Sequence, residues 1–193
     1  ALSVIMSDPK GPAYLSLPRE VLAIEMDEFS FESPGRIQPA APSLPNPSAL
    51  DEAASILAKA ENPVIITNWG GRNPNVMPAL VELAENYAIP VVEYRNRFVA
   101  MPRRHPMFAG GNPNPFVKSA DAILVMDSAT PWLPSQVTPS EDCKVLHLAP
   151  DPHYSYLPIR GFRSDIALAC DSALGLIALN NAMSEHAKSN QEA

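Results

Sequence analysis

Apolar residues recur along this chain in two alternating rhythms. From Ser48 onward, Leu50, Ala53, Ala54 and Leu57 fall at i, i+3, i+4 and i+7, the spacing of one helix face. Ser48 with Asp51 three residues on predicts the cap of that helix, and Glu61-Asn62-Pro63 its end. Val64-Ile65-Ile66-Thr67 is then apolar and β-branched without alternation, the pattern of a strand covered on both faces. A turn at Asn68–Pro74 leads to a second helical stripe of Leu80, Leu83, Ala84 and Tyr87, and Pro90 opens a short strand at Val91-Val92-Glu93. The second half repeats the order. A Pro/Gly-rich loop from Met101 to Pro115 precedes a short helix around Phe116–Ala120, with buried strands at Ala122–Met126 and Lys144–Leu148. Asp171 caps a last helix whose Leu174, Ile177 and Ala178 are expected to face inward. Strands that alternate with helices and are apolar throughout predict parallel βαβ units. The expected fold is α/β: an open, doubly wound parallel sheet with flanking helices.

The start of the chain reads differently. Ala1–Ser7 looks like the end of a helix halted at Asp8-Pro9, and Tyr14–Leu17 like a lone strand stopped by Pro18. A lone strand can neither pair its edges nor bury its faces, so this piece is expected either to pack on the body of the domain or to belong with a neighbouring one. Residues 32–47 hold five prolines and a glycine and read as a semi-rigid, extended linker. The regular α/β pattern occupies 48–180, and 181–193 is a polar tail expected to fray.

Composition narrows the function. Of 193 residues 46% are hydrophobic and 18% charged, which is globular rather than disordered. Fourteen basic residues against 21 acidic ones, net −7, with no basic cluster of the required size, argue against a nucleic-acid surface. No apolar run approaches the ~20 residues of a membrane span. Cys143 and Cys170 fit no metal or redox spacing and read as buried thiols of a cytoplasmic protein. The 22 prolines cluster between segments, where they punctuate a compact fold.

In open parallel sheets ligands bind beyond the carboxyl ends of the strands, where strand order reverses. That rule marks Asn68–Pro74, Asp127–Pro134 and Ala149–Tyr154. Gly70, Gly71 and Arg72 between a strand and a helix could cradle a phosphate, or could simply form a tight turn. Asp127 and Asp151 follow their strands and could accept bonds from a ribose, or cap the next turn. Trp69 could stack on a ring or pack. Arg95, Arg97, Arg103 and Arg104 with His105 form the one basic concentration, an anion recruiter or a solvated surface. His147, inside an apolar strand, reads as a satisfied core histidine. No GxSxG, P-loop or HExxH arrangement occurs, so no catalytic residue and no metal ligand is assigned.

The order of segments resembles one family. Gly11-Pro12-Ala13-Tyr14-Leu15-Ser16-Leu17-Pro18 is similar to the segment closing the pyrimidine-binding domain of thiamine-diphosphate-dependent enzymes of the acetolactate synthase and benzoylformate decarboxylase group. Ala60-Glu61-Asn62-Pro63-Val64-Ile65-Ile66 with Gly70-Gly71 resembles the opening of their central domain. Ile89-Pro90-Val91, Ser119–Leu124, Pro131-Trp132-Leu133-Pro134, His147–Asp151 and Cys170–Leu174 follow in family order.

The resemblance implies a central domain, Rossmann-like and of the NAD/FAD-binding type, joined to a remnant of the pyrimidine-binding domain, residues 1–31. The intact protein would use thiamine diphosphate and Mg2+ on a 2-oxo acid, as a lyase or transferase. Those groups would be held between pyrimidine- and pyrophosphate-binding domains of the same polypeptide, in a homo-oligomer, dimer or tetramer. No Gly-Asp-Gly stretch occurs here, so this segment is not itself expected to catalyse. Some family members carry FAD or ADP in this domain. Here Met107–Gly111 stands where they have Gly-Met-His-Gly, Asp127-Ser128-Ala129-Thr130 where Gly-x-Arg-Phe is usual, and Ala149 where an aspartate is common. These departures remove expected flavin contacts. A self-standing adenine-nucleotide module (FAD, ADP or NAD), with Gly70, Gly71, Arg72, Asp127 and Asp151 as its contacts, is the alternative.

Overall fold

The computed structural model describes residues 1–31 and 38–192, the last six of these by backbone alone. Two compact units divide at Pro42/Ser43. Within the linker expected at 32–47, residues 32–37 lie outside the described residues.

The first unit carries two short helices, α1 (Leu2–Met6) and α2 (Arg19–Leu22). The strand expected at Tyr14–Leu17 does not form. Those residues are exposed and have no neighbouring strand to supply the ladder bonds an extended segment needs.

The second unit is the α/β body. Helix α3 (Pro47–Lys59) begins one residue before the expected cap. Asn46, not Ser48, accepts from the first-turn amides of Ser48 and Ala49 through Oδ1, and Pro47 occupies the position that needs no N–H. Strands β1 (Pro63–Thr67), β2 (Val91–Glu93), β3 (Ala122–Met126), β4 (Lys144–Ala149) and β5 (Ile166–Ala169) form one sheet in the order β2-β1-β3-β4-β5, every pairing parallel. Helix α4 (Val76–Tyr87) connects β1 to β2, and α5 (Asn114–Ser119) precedes β3. Beyond β2, Val91 bridges Phe108 in parallel and Glu93 N–H donates to Gly110 O, so the edge is covered by a rudimentary further strand.

Alternation along each strand separates two cores. Ile65, Leu124, Met126, Leu146 and Leu148 face α3, α4 and the closing helix α6 (Ser172–Glu192). Val64, Ile66, Ile123, Val125 and Val145 face α5, Trp132 and half-buried Phe162. Helices thus flank both faces, as the apolar strands require. The β3–β4 and β4–β5 connections contain no helix, and Trp132 and Phe162 stack edge-on (5.3 Å) in the second core.

Helix α6 departs from expectation twice. Asp171 does cap it, accepting from Ala173 and Leu174 N–H at 3.0 Å. Its buried side is Ala173, Leu176, Leu179 and Met183, whereas Ile177 is exposed and Leu174 and Ala178 are half-buried. The run Ala-Leu-Gly-Leu-Ile-Ala-Leu is apolar all round, so spacing alone left the face open, and Gly175 decides it: a Cβ there would sit 2.7 Å from Cys170 Sγ and 3.0 Å from Leu148 Cδ1. The expected frayed tail beyond Asn180 is helical through Glu192, anchored by buried Met183 and by the His186–Asp51 contact to α3 (2.9 Å). Among the described residues no helix is long and apolar enough to cross a membrane.

Candidate functional site

The reversal of strand order between β1 and its neighbours places the binding crevice of this fold over the carboxyl ends of β1, β3 and β4. Backbone bonds stitch these ends together: Trp69 N–H donates to Asp127 O (3.0 Å), and Asp127 N–H to Leu148 O (3.1 Å). Asp127 adopts a left-handed conformation (φ 47°), which turns the chain sharply off β3. Gly70, Gly71, Arg72, Asp127 and Asp151 therefore all lie just beyond strand ends, as the sequence positions require.

Their chemistry is less open than their placement. Gly70–Arg72 forms a single 3-10 turn. Gly70 N–H donates to Thr67 Oγ1 (3.2 Å), Arg72 N–H to Trp69 O (2.8 Å) and Asn73 N–H to Gly70 O (3.3 Å), so most amides of the turn bond inside it. The glycines answer a packing need. A Cβ on Gly70 would meet Met126 Cε at 2.5 Å, and one on Gly71 would collide with the backbone carbonyl of Val99. Asp151 Oδ2 accepts from Ser155 N–H (2.7 Å) and Ser155 Oγ–H (2.8 Å), closing the turn after β4.

The basic residues are not used alike. Arg95 lies over the Tyr94 ring (5.4 Å) and Arg97 over Trp69 (5.7 Å), which also packs on Phe98. His105 instead pairs with Glu85 of α4 (2.9 Å) and accepts from Met107 N–H through Nδ1. Arg103 and Arg104 are exposed.

Several residues that organise the site carried no signal in the sequence. Glu93, 3% exposed at the end of β2, accepts from Ala100 N–H (2.6 Å), Met101 N–H (2.9 Å) and Asn96 Nδ2 (3.1 Å), folding the 94–101 loop back over the Gly71 turn. Asn68 Nδ2 clamps Tyr94 O and Arg95 O, and Arg97 N–H returns to Asn68 O. Arg160, from the β4–β5 connection, donates through Nε to Ala129 O (3.2 Å) and through Nη2 to Ser128 O (3.3 Å), with its guanidinium over the rings of Tyr154 (5.1 Å) and Phe162 (5.3 Å). Asn68 and Glu93, polar residues at strand ends, are the ones of these a sequence rule could have flagged.

Charge states follow from burial. His147 is fully buried, and desolvation holds its pKa down to about 4 despite the opposing bond to Arg163 O; Arg160 and His153 push the same way as burial. Its Nε2 lies 3.0 Å from that carbonyl, which can only accept, so Nε2 carries the proton and Nδ1 is left as acceptor for Arg160 Nη2 at 3.3 Å. The reading of His147 as a satisfied core histidine holds. Burial raises the Tyr154 phenol well above its usual range, with Asp127 adding to it, and lowers Arg160. Cys143 and Cys170 are free, buried thiols, pushed up chiefly by desolvation to about 11 and about 12. Among the described residues no group of three or more His, Cys, Asp or Glu could hold a metal ion. Two clefts stand out, of about 270 Å3 against Pro63, Pro90 and Phe116, and about 210 Å3 against Trp132, Pro139 and Phe162, and neither is lined by the five strand-end residues.

The family described as "Thiamine pyrophosphate enzyme, central domain" matches residues 50–179. Among curated proteins, the chain is 29% identical over 135 residues to an oxalyl-CoA decarboxylase of Escherichia coli (strain K12), covering 69% of this chain and 24% of that protein. It is 34% identical over 119 residues to a sulfoacetaldehyde acetyltransferase of Rhodobacter capsulatus, covering 62% and 19%. Among solved structures, a Mycobacterium smegmatis protein assigned as a thiamin diphosphate-dependent enzyme superposes with a TM-score of 0.73 at 21% identity, over 94% of this chain and 35% of that one. Benzoylformate decarboxylase from Polynucleobacter necessarius gives 0.69 at 22%, over 93% and 34%. The chain thus spans about a quarter of its curated relatives and a third of its structural neighbours.

Proposed function

Because this chain belongs to the central-domain family of thiamine pyrophosphate enzymes, we propose that it is the middle, spacing domain of a longer thiamine-diphosphate- and magnesium-dependent polypeptide. That polypeptide acts on a 2-oxo acid as a lyase or transferase. Thiamine diphosphate supplies the electron sink for breaking a carbon–carbon bond next to a carbonyl. Within this reading the present residues position and separate the domains on either side, residues 1–31 belonging to the pyrimidine-binding one, and contribute to contacts within a homo-oligomer. A cytoplasmic setting accords with the two free buried thiols.

The observation that carries the reading is the match over residues 50–179 on a sheet of five parallel strands, in a segment a quarter to a third the length of its relatives. Gly70 N–H is bonded to Thr67 Oγ1 and the Asp151 carboxylate to Ser155, so these strand-end groups serve the local turns. The reading is tested by calorimetric titration of thiamine diphosphate with Mg2+ into the 193-residue chain and into the complete polypeptide. Saturable binding to the complete polypeptide alone is expected. Saturable binding to the chain alone would overturn the spacer role.

A second reading, an adenine-nucleotide module, has one observation in its favour. Gly70, Gly71, Arg72, Asp127 and Asp151 all stand at the strand ends where this topology places ligands.

A further inference from the structure

The crevice at the ends of β3 and β4 holds a cation of the chain's own. Arg160 reaches it from the connection that follows β4 and donates to two carbonyls just beyond β3, Ser128 O and Ala129 O. Its Nη2 also lies 3.3 Å from His147 Nδ1, which must be an acceptor because Nε2 donates to Arg163 O. The guanidinium lies over the rings of both Tyr154 (5.1 Å) and Phe162 (5.3 Å). Tyr154 itself is in a left-handed conformation (φ 52°), a backbone that a bulky residue adopts only when its surroundings hold it there. The other polar groups around the crevice are likewise engaged: Gly70 N–H with Thr67, and Asp151 with Ser155. Two buried polar atoms at these strand ends have no hydrogen-bond partner among the described residues, Asn68 Oδ1 and the Ser128 hydroxyl, the latter 1% exposed.

We propose that Arg160 is a built-in occupant of this crevice, a specificity-determining residue that ties the ends of β3 and β4 together and keeps adenine nucleotides out. The guanidinium takes up the acceptors that a ligand's polar groups would need, and it covers two aromatic rings on which a base could stack. Removing it frees two carbonyls, a neutral imidazole acceptor and an unpartnered buried hydroxyl beside two ring faces, a set that suits a neutral heterocycle with donor groups. The inference goes beyond the spacer reading, and its test is made on this chain alone, so its outcome is independent of turnover by the complete polypeptide.

The test is calorimetric titration of ADP into the chain and into Arg160→Ala, with thermal melting and near-ultraviolet circular dichroism to verify folding. If Arg160 occupies the crevice more than nine-tenths of the time, its removal should tighten ADP binding by at least about tenfold, since apparent affinity scales with the competent fraction. Arg160→Lys, which keeps the charge but loses the planar fork, should fall between the two and gives the answer if the alanine variant does not fold. Folded variants that bind ADP no better than the unaltered chain would overturn the proposal. So would an unaltered chain that binds ADP and loses affinity on either substitution, because Arg160 would then be a ligand contact.

Discussion

Replacing Gly71 by alanine should detach the 94–101 loop from the strand ends. The added Cβ would collide with the Val99 carbonyl, and this is backbone rather than the free end of a side chain, so it moves only if its loop moves. That loop is held by the buried Glu93 carboxylate through Ala100 N–H and Met101 N–H. Hydrogen bonds to a charged group contribute about 1.5–3 kcal/mol each. Either one such bond weakens or the overpacking is absorbed as strain of about 1–3 kcal/mol. Alanine returns about 0.4–1 kcal/mol by restricting the unfolded chain. The net loss is about 1.5 kcal/mol, which for a domain of this size lowers Tm by roughly 3–6 °C. Urea melts of the chain and of Gly71→Ala, followed by tryptophan emission from Trp69 beside the loop, measure it. A change within about 0.5 kcal/mol would show that the glycine pair is not there for packing and return it to a ligand-binding role.

Other consequences are as direct. Asn180 bonds Asn86 and Glu82 and, through its carbonyl, Tyr87, tying α6 to α4; Asn180→Ala should lose about 1–3 kcal/mol in urea melts, and an unchanged midpoint would contradict that role. His147 has a folded pKa of about 4 against 6.5 unfolded, so between those values the unfolded state binds more protons and stability rises with pH. The stability lost as pH falls through that window is up to about 3 kcal/mol, and His147→Gln should flatten the corresponding part of the pH profile relative to the unaltered chain. Cys143 and Cys170, raised to about 11 and about 12, should resist a thiol-disulfide reagent at pH 8 until urea unfolds the chain; stoichiometric labelling of the native chain would contradict their burial.

Most of the body was legible because burial on both faces leaves a local mark. β1, β3 and β4 are continuous apolar runs between turns, and their order alone points to a parallel sheet. β5 escaped notice because Ile-Ala-Leu-Ala is only four residues and runs almost directly into the apolar start of α6. The α3 cap was misplaced by two residues, since Asn46 sits inside a proline-rich stretch that reads as linker, although Pro47 is itself a good first residue for a helix. At the candidate site, strand ends are local, so Gly70, Asp127 and Asp151 could be marked in advance. What their groups bond to is not local: Glu93 acts on amides seven and eight residues away, and Arg160 on carbonyls about thirty residues earlier. No spacing rule reports such contacts.

The central claim, that this sheet separates reactive parts it does not itself contain, is tested most directly by following carbon dioxide release. The complete polypeptide and the 193-residue chain would each be given a panel of 2-oxo acids with thiamine diphosphate and Mg2+. Release by the complete polypeptide, dependent on the cofactor and absent from the chain, is the predicted result. Turnover by the chain alone would contradict the account.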